Sequence, residues 1–160
     1  HEKDVVLEMS LLLACMLQSE GADVLLTREE DKALDLYRRT DPLMEEEVDL
    51  FISVHSNAHP HGADAVETRG VMTLYSHDHH EKLAQIMLET LAEEMGLPTV
   101  RTWKRVLAVT RHTHVPSVLV EAGYMMHPED NWHILHPAGQ QKFAAAITEG
   151  IREYFLSYSE

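Results

Sequence analysis

The sequence predicts one α/β domain built on a mostly parallel, twisted sheet with helices on both faces, a three-layer sandwich. Three observations carry that prediction. Short aliphatic or β-branched runs alternate with longer amphipathic stretches along the whole chain. Glycines stand where helices should stop, at Gly21 and Gly96. No repeat, low-complexity tract or linker divides the 160 residues, a length that suits one domain with a real core.

The elements follow in order. Val5, Leu7, Leu11, Leu12, Cys15 and Met16 recur at near-helical spacing, so residues 4–19 read as a helix ended by Glu20-Gly21. Cys15, the lone cysteine, is expected to be a small buried core residue. Residues 22–27 read as a short buried strand. Residues 29–47 are highly charged but carry Ala33, Leu34, Leu36 and Tyr37, which predicts a surface helix interrupted near Asp41-Pro42. Residues 49–54 form the next strand, which runs into His55-Ser56-Asn57, and residues 58–66 form a loop. A strand over 70–75 precedes an amphipathic helix over 79–95. Residues 97–116 are irregular apart from a short strand at 106–109. The compact run Ser117-Val-Leu-Val120 is a strand leading into Glu121-Ala-Gly-Tyr, and helices over 128–136 and 139–154 complete the chain.

Charge excludes some functions. Against 13 Lys and Arg stand 27 Asp and Glu, giving a formal charge of −14. Neutralising phosphates needs a basic face, so nucleic acid is not an expected partner. No run of about 18 apolar residues predicts a transmembrane helix. The residues His1, Glu2, Lys3 and Asp4 that open the sequence are not expected to form a signal peptide.

Chemistry concentrates where ligands bind in open α/β sheets, at the carboxyl ends of strands. His55 follows Phe51-Ile-Ser-Val54, and Glu121 follows Ser117-Val-Leu-Val120. Taken singly, either is more often a satisfied polar group at a strand end. Together, with Asn57 and Gly123 near them in sequence, they mark a candidate pocket with a nitrogen ligand and a general base. The remaining histidines have plainer readings. His59, His61, His77, His79 and His80 read as solvated loop or helix-start residues, and His127, His133 and His136 as surface or helix-end residues. His112 and His114 flank the pocket, and one of them is a candidate substrate contact. Met16, Met87 and Met95 read as core gap-fillers. Trp103 is read either as a sugar-stacking residue or as packing against the sheet.

A set of ordered segments adds a resemblance. These are Glu2-Lys-Asp-Val-Val-Leu, Gly21-Ala-Asp-Val-Leu-Leu-Thr-Arg28, Asp49-Leu-Phe-Ile-Ser-Val-His-Ser-Asn-Ala58 and Arg69-Gly-Val. Arg111-His-Thr-His-Val-Pro-Ser-Val-Leu-Val-Glu-Ala-Gly-Tyr124, Pro128-Glu-Asp130 and Gln140-Gln-Lys complete the set. In this order the chain resembles the zinc-dependent N-acetylmuramoyl-L-alanine amidases of cell-wall turnover, the amidase_3 family. The resemblance implies a phosphorylase/hydrolase-like fold, peptidoglycan as substrate, an extracellular or periplasmic location and, in some cases, flanking wall-binding modules. It implies a Zn2+ cofactor held by two histidines and a glutamate, with a second glutamate as catalytic carboxylate. By motif, Glu2 is the ligand glutamate, His55 the second ligand histidine and Glu121 the catalytic carboxylate. Arg111 and Asn57 fall on positions for substrate positioning, and Arg111 is also a candidate for oxyanion stabilisation.

The family's first ligand histidine normally sits in a Gly-His-Gly-Gly-like turn after an N-terminal strand, ahead of the position of Glu2. No such segment is found in residues 1–160. The expectation is therefore an N-terminally trimmed amidase domain whose zinc affinity is poor. The alternative is a wall-binding domain that has lost catalysis. Some relatives also plug their zinc site with a helix inserted after the strand that follows the His-Ser-Asn segment. Here Tyr75-Ser-His-Asp-His-His80 leads straight to Glu81, which leaves no room for one.

Overall fold

In the computed structural model, which describes residues 1–58 and 68–158, helix α1 (Glu2–Ser19) starts slightly ahead of its apolar pattern. Its buried stripe is Val5, Met9 and Leu13 at i, i+4 spacing, with Ala14 beside it. Cys15 is exposed, contrary to the expectation of a core position. Two residues beyond Leu13 amount to about 200° of helical rotation, which turns the thiol away from the core.

Among the described residues, four strands form one sheet in the order β1-β4-β2-β3: β1 (Phe51–Asn57), β2 (Val71–Tyr75), β3 (Thr99–Lys104) and β4 (Ser117–Tyr124). The β1–β4 and β2–β3 pairs are parallel, and β2 meets β4 antiparallel. The sheet is thus mixed but mostly parallel, within a single α/β domain. Alternation along β4 sends Val118, Val120 and Ala122 to one face. There they join Met9 of α1, Leu83 and Met87 of α3 (Glu81–Met95), Ile134 of α4 (Pro128–Leu135), and Phe143 and Ile147 of α5 (Pro137–Leu156). Met87 and Met95 are buried, as gap-fillers should be, and Met16 packs at the rim of this cluster. Leu119 points the other way, to a smaller cluster with Met72, Leu74 and Val109, against which Phe51 and Leu107 pack. On that side, His112 Nε2 lies 2.8 Å from Thr40 Oγ1, and His114 Nε2 lies 3.0 Å from the Leu43 carbonyl. These contacts tie the segment after β3 to the 3-10 turn Tyr37–Thr40 and to the short helix α2 (Pro42–Glu45).

Three expected elements differ. Of the helix expected over 29–47, only that turn and α2 form: the expected interruption near Asp41-Pro42 is present, with Pro42 opening α2, but residues 29–36 carry no helix. The strand expected at 106–109 is absent, and β3 lies at Thr99–Lys104 instead. Thr99–Lys104 takes the ladder positions beside β2, while Leu107 and Val109 pack down onto the smaller cluster. Residues 22–27 are not assigned as strand. A strand needs a neighbour to bond, and this segment lines a cavity of about 1300 Å³ shared with α1 and with Phe51, Ile52 and Val54 of β1. Leu25 is 61% exposed.

His80, expected to be solvated, is fully buried, and neither ring nitrogen has a hydrogen-bond partner among the described residues. Burial pushes its pKa down to about 4, helped by the charges of His79 and His77. Between that value and about 6.5 the unfolded chain binds the extra proton, so stability is complete above pH ~6.5 and falls as pH drops toward 4, by up to about 3 kcal/mol. His80→Phe is expected to flatten this dependence, as measured by urea unfolding at pH 4.5 and 7.5. An unchanged pH slope in the variant would refute the assignment. No helix among the described residues is long and apolar enough to cross a membrane.

Candidate active site

The sheet brings together three of the expected site residues. His55 and Glu121 are direct register partners on β1 and β4, so both side chains emerge on one face at the carboxyl ends of neighbouring parallel strands. That face is the one carrying Leu119 and Met72. Glu2, in the first turn of α1, reaches the same place from another element: its Oε1 lies 3.1 Å from His55 Nδ1. The Ser56 backbone N–H donates to the same oxygen at 3.3 Å. The hydrogen bond from His55 holds the Glu2 carboxyl below its usual range, with the Ser56 N–H adding to that against partial burial.

Glu121 behaves oppositely. It sits deep enough for burial to push its pKa up to about 7; the charge of Glu2 reinforces this and His55 opposes it. Its Oε2 is buried without a hydrogen-bond partner among the described residues. Two carboxylates within reach of one imidazole therefore have their pKa values driven apart, an arrangement that separates a ligand from a proton-transfer group.

The other expected residues are placed differently. Asn57 ends β1, where its Oδ1 accepts the Ala58 N–H at 3.0 Å and its carbonyl accepts the Met125 N–H at 3.1 Å. Arg111 stacks on Tyr37, 5.1 Å from the ring centroid, and no hydrogen bond or ion pair joins it to Glu121 or His55. His112 and His114 both turn to backbone or hydroxyl partners, not to Glu121. His59 and His61 lie outside the described residues.

Residues that support this end of the sheet had no local signal in the sequence. Ser56 Oγ donates to the Gly123 carbonyl at 3.2 Å, locking β1 to β4 just beyond the site. Asp130, fully buried at the start of α4, accepts the Gly70 N–H at 2.6 Å and the Tyr124 N–H at 3.0 Å. Asp130 lies in the quoted Pro128-Glu-Asp130 segment, but only the fold reveals what its carboxylate holds. Among the described residues, no group of three or more His, Cys, Asp or Glu is arranged to hold a metal ion. Glu2 and His55 supply an oxygen and a nitrogen donor of the kinds zinc accepts, two of the usual three protein ligands.

Comparison with known proteins places this chain in a family. The model of the family described as Amidase_3, N-acetylmuramoyl-L-alanine amidase, matches residues 1–153. The chain is 31% identical over 156 residues to the probable cell wall amidase LytH of Staphylococcus epidermidis, covering 98% of this chain and 50% of that protein. It is likewise 31% identical over 172 residues to the germination-specific N-acetylmuramoyl-L-alanine amidase of Bacillus subtilis, covering 96% of this chain and 70% of that protein. The chain thus spans about half the length of its LytH relatives. Among solved structures, the catalytic domain of CwlV, an N-acetylmuramoyl-L-alanine amidase from Bacillus (Paenibacillus) polymyxa var. colistinus, superposes with a TM-score of 0.88 at 28% identity, over 97% of this chain and 85% of that one. The amidase AmiC2 of Nostoc punctiforme gives 0.89 at 29% identity, over 97% and 84%. The chain belongs to the N-acetylmuramoyl-L-alanine amidase family, Amidase_3.

Proposed function

We propose that this chain is the catalytic part of a zinc-dependent peptidoglycan amidase that hydrolyses the amide between the lactyl group of N-acetylmuramic acid and L-alanine. The observation that carries the reading is the buried Glu121 carboxyl, raised to about 7, beside the converging Glu2–His55 pair. Glu2 and His55 would hold the metal. Zinc, when bound, supplies a Lewis acid for the scissile carbonyl and acidifies a water. Glu121 takes the proton released as water adds to the carbonyl carbon. It then returns that proton to the amide nitrogen as the C–N bond breaks, leaving a lactyl carboxylic acid and a free amine. A carboxyl whose pKa lies near neutrality suits both halves of that transfer. Arg111 and Asn57 are assigned to substrate positioning, and Arg111 would have to leave Tyr37 to reach the reacting carbonyl.

The third ligand is inferred to be a histidine on an extended segment seated in the groove between β1 and residues 22–27. Among the described residues β1 pairs only with β4, so its other edge is free. Phe51, Ile52 and Val54 are only half-buried beside that cavity, whereas Val118 and Val120 of β4 are fully buried. Strands of parallel sheets are normally buried on both faces. Such an enzyme acts in the cell envelope, extracellularly or in the periplasm, and is compatible with flanking wall-binding modules.

One observation favours a second reading, a peptidoglycan-binding domain without catalysis: among the described residues two donors, Glu2 and His55, converge where catalytic zinc takes three. Zinc titration of the full-length gene product, followed by assay of muropeptides released from purified sacculi, separates the two. The amidase reading expects zinc-dependent release that falls at least about 100-fold in His55→Ala, since a ligand is lost. Sacculus binding without release in the presence of saturating zinc would establish the second reading.

A further inference from the structure

The row of residues that carries the site continues across the sheet onto its far edge. Register places His55 beside Glu121, Glu121 beside Met72, and Met72 beside Arg101. Directly paired residues project to the same face, so Arg101 stands on the site face at the exposed edge of β3. With strands about 4.8 Å apart, its Cα lies about 10 Å from that of Glu121. Trp103, two residues on, shares the face. The Arg101 guanidinium lies 4.1 Å from its ring centroid, and that of Arg105 lies 5.2 Å away. Thr102, between them, pairs with Thr73, whose hydroxyl bonds to α3 on the opposite face.

Charge makes this cluster unusual. In a chain of formal charge −14, neither Arg101 nor Arg105 forms an ion pair among the described residues, although neighbouring Lys104 is paired with Asp78. Arg101 and Glu121 both act electrostatically on Tyr124, the last residue of β4. Burial raises the Tyr124 phenol and the Glu121 charge adds to that, while Arg101 opposes them both. A guanidinium pre-stacked on an indole keeps its outward N–H groups for a carboxylate, and the ring edge offers an apolar surface beside it.

Resting on the amidase reading, we propose that Arg101, Trp103 and Arg105 form a subsite for a stem-peptide carboxylate about two or three residues from the scissile amide. An extended peptide rises about 3.3 Å per residue, which matches the span from Glu121 to Arg101. The subsite selects stems that carry free carboxylates over amidated ones.

The test uses the intrinsic fluorescence of this chain in a Trp132→Phe background, which leaves Trp103 as reporter. Two probes are titrated at low salt: a muramyl tripeptide with free carboxylates, and the same compound with those carboxylates amidated. The expected result is quenching by the acidic probe, with affinity about 10-fold weaker for the amidated one. Arg101→Gln should abolish the preference, and Arg101→Lys should restore part of it. Equal affinity for both probes, a preference that survives Arg101→Gln, or no binding of either probe overturns the subsite. Hydrolysis by the zinc-loaded full-length gene product is read separately. There, Arg101→Gln should raise KM for the acidic substrate about 10-fold with kcat within about 2-fold. Absence of any wild-type hydrolysis counts against the amidase reading itself, while unchanged KM in Arg101→Gln counts against the subsite alone.

Discussion

Glu121→Gln is expected to lower muropeptide release by about 10²–10⁴-fold, the usual contribution of a positioned general acid–base group. Glutamine keeps the shape of the side chain but cannot accept the proton from water. Zinc affinity should change only a few-fold, because Glu2 and His55 are untouched. The same substitution should stabilise the metal-free chain in mildly alkaline solution. The buried Glu121 carboxyl is raised to about 7. Between about pH 4.5 and 7 the folded state therefore holds a proton that the unfolded state has released. Stability falls across that window, and above it the ionised side chain costs about 2–3 kcal/mol. Removing the charge recovers most of that cost. Lost turnover together with a raised melting temperature at pH 8 is the signature of a site that sacrifices stability for function. Turnover within about 10-fold of wild type in the zinc-loaded full-length protein would remove Glu121 from the catalytic role.

The second large effect concerns the architecture behind the site. Asp130→Ala is expected to cost about 3–5 kcal/mol, a fall in melting temperature of roughly 6–20 °C for a domain of this size. The carboxylate is fully buried and accepts the Gly70 and Tyr124 backbone N–H groups, and Arg69 Nε lies 3.4 Å from its other oxygen. Truncation leaves the two buried N–H donors without that acceptor and removes a negative charge beside Arg69 Nε. Gly70 itself leaves no room to adjust: its φ is +109°, and a Cβ there would stand 2.1 Å from the Pro98 carbonyl oxygen. Asp130→Asn keeps one acceptor oxygen and should lose less than half as much. The effect should also reach chemistry, because Asp130 anchors the end of β4 only a few residues after Glu121. A melting temperature within about 3 °C of wild type for Asp130→Ala would show that the backbone donors find other partners.

Much of this was legible from particular residues. Helix α1 declared itself through Val5 and Leu12, although its true stripe, Val5, Met9 and Leu13, left Cys15 outside. The strands that carry His55 and Glu121 were visible because parallel strands read as short aliphatic runs, although β1 continues past His55 to Asn57 and β4 past Glu121 to Tyr124. Residues 22–27 show the limit. Val24, Leu25 and Leu26 have strand character, but a strand is a relation between two stretches of backbone, and among the described residues none pairs with them. His80 shows another limit, since nothing local distinguishes it from its neighbours His77 and His79, which bond to the carbonyls of Arg111 and Thr113.

By itself, then, the sequence determined the α/β class, the position of the two polar strand ends and the ordered segments that mark the family. Each of these depends on local periodicity or on residue order, which the chain carries in one dimension. Only the tertiary structure decided that Glu2 meets His55, that Asp130 holds Gly70 to Tyr124, and that Arg101 and Trp103 share the face of Glu121. Those are properties of register and packing between segments as many as 60 residues apart in sequence. Desolvation, which sets the Glu121 carboxyl near neutrality, likewise exists only once the sheet has closed around it.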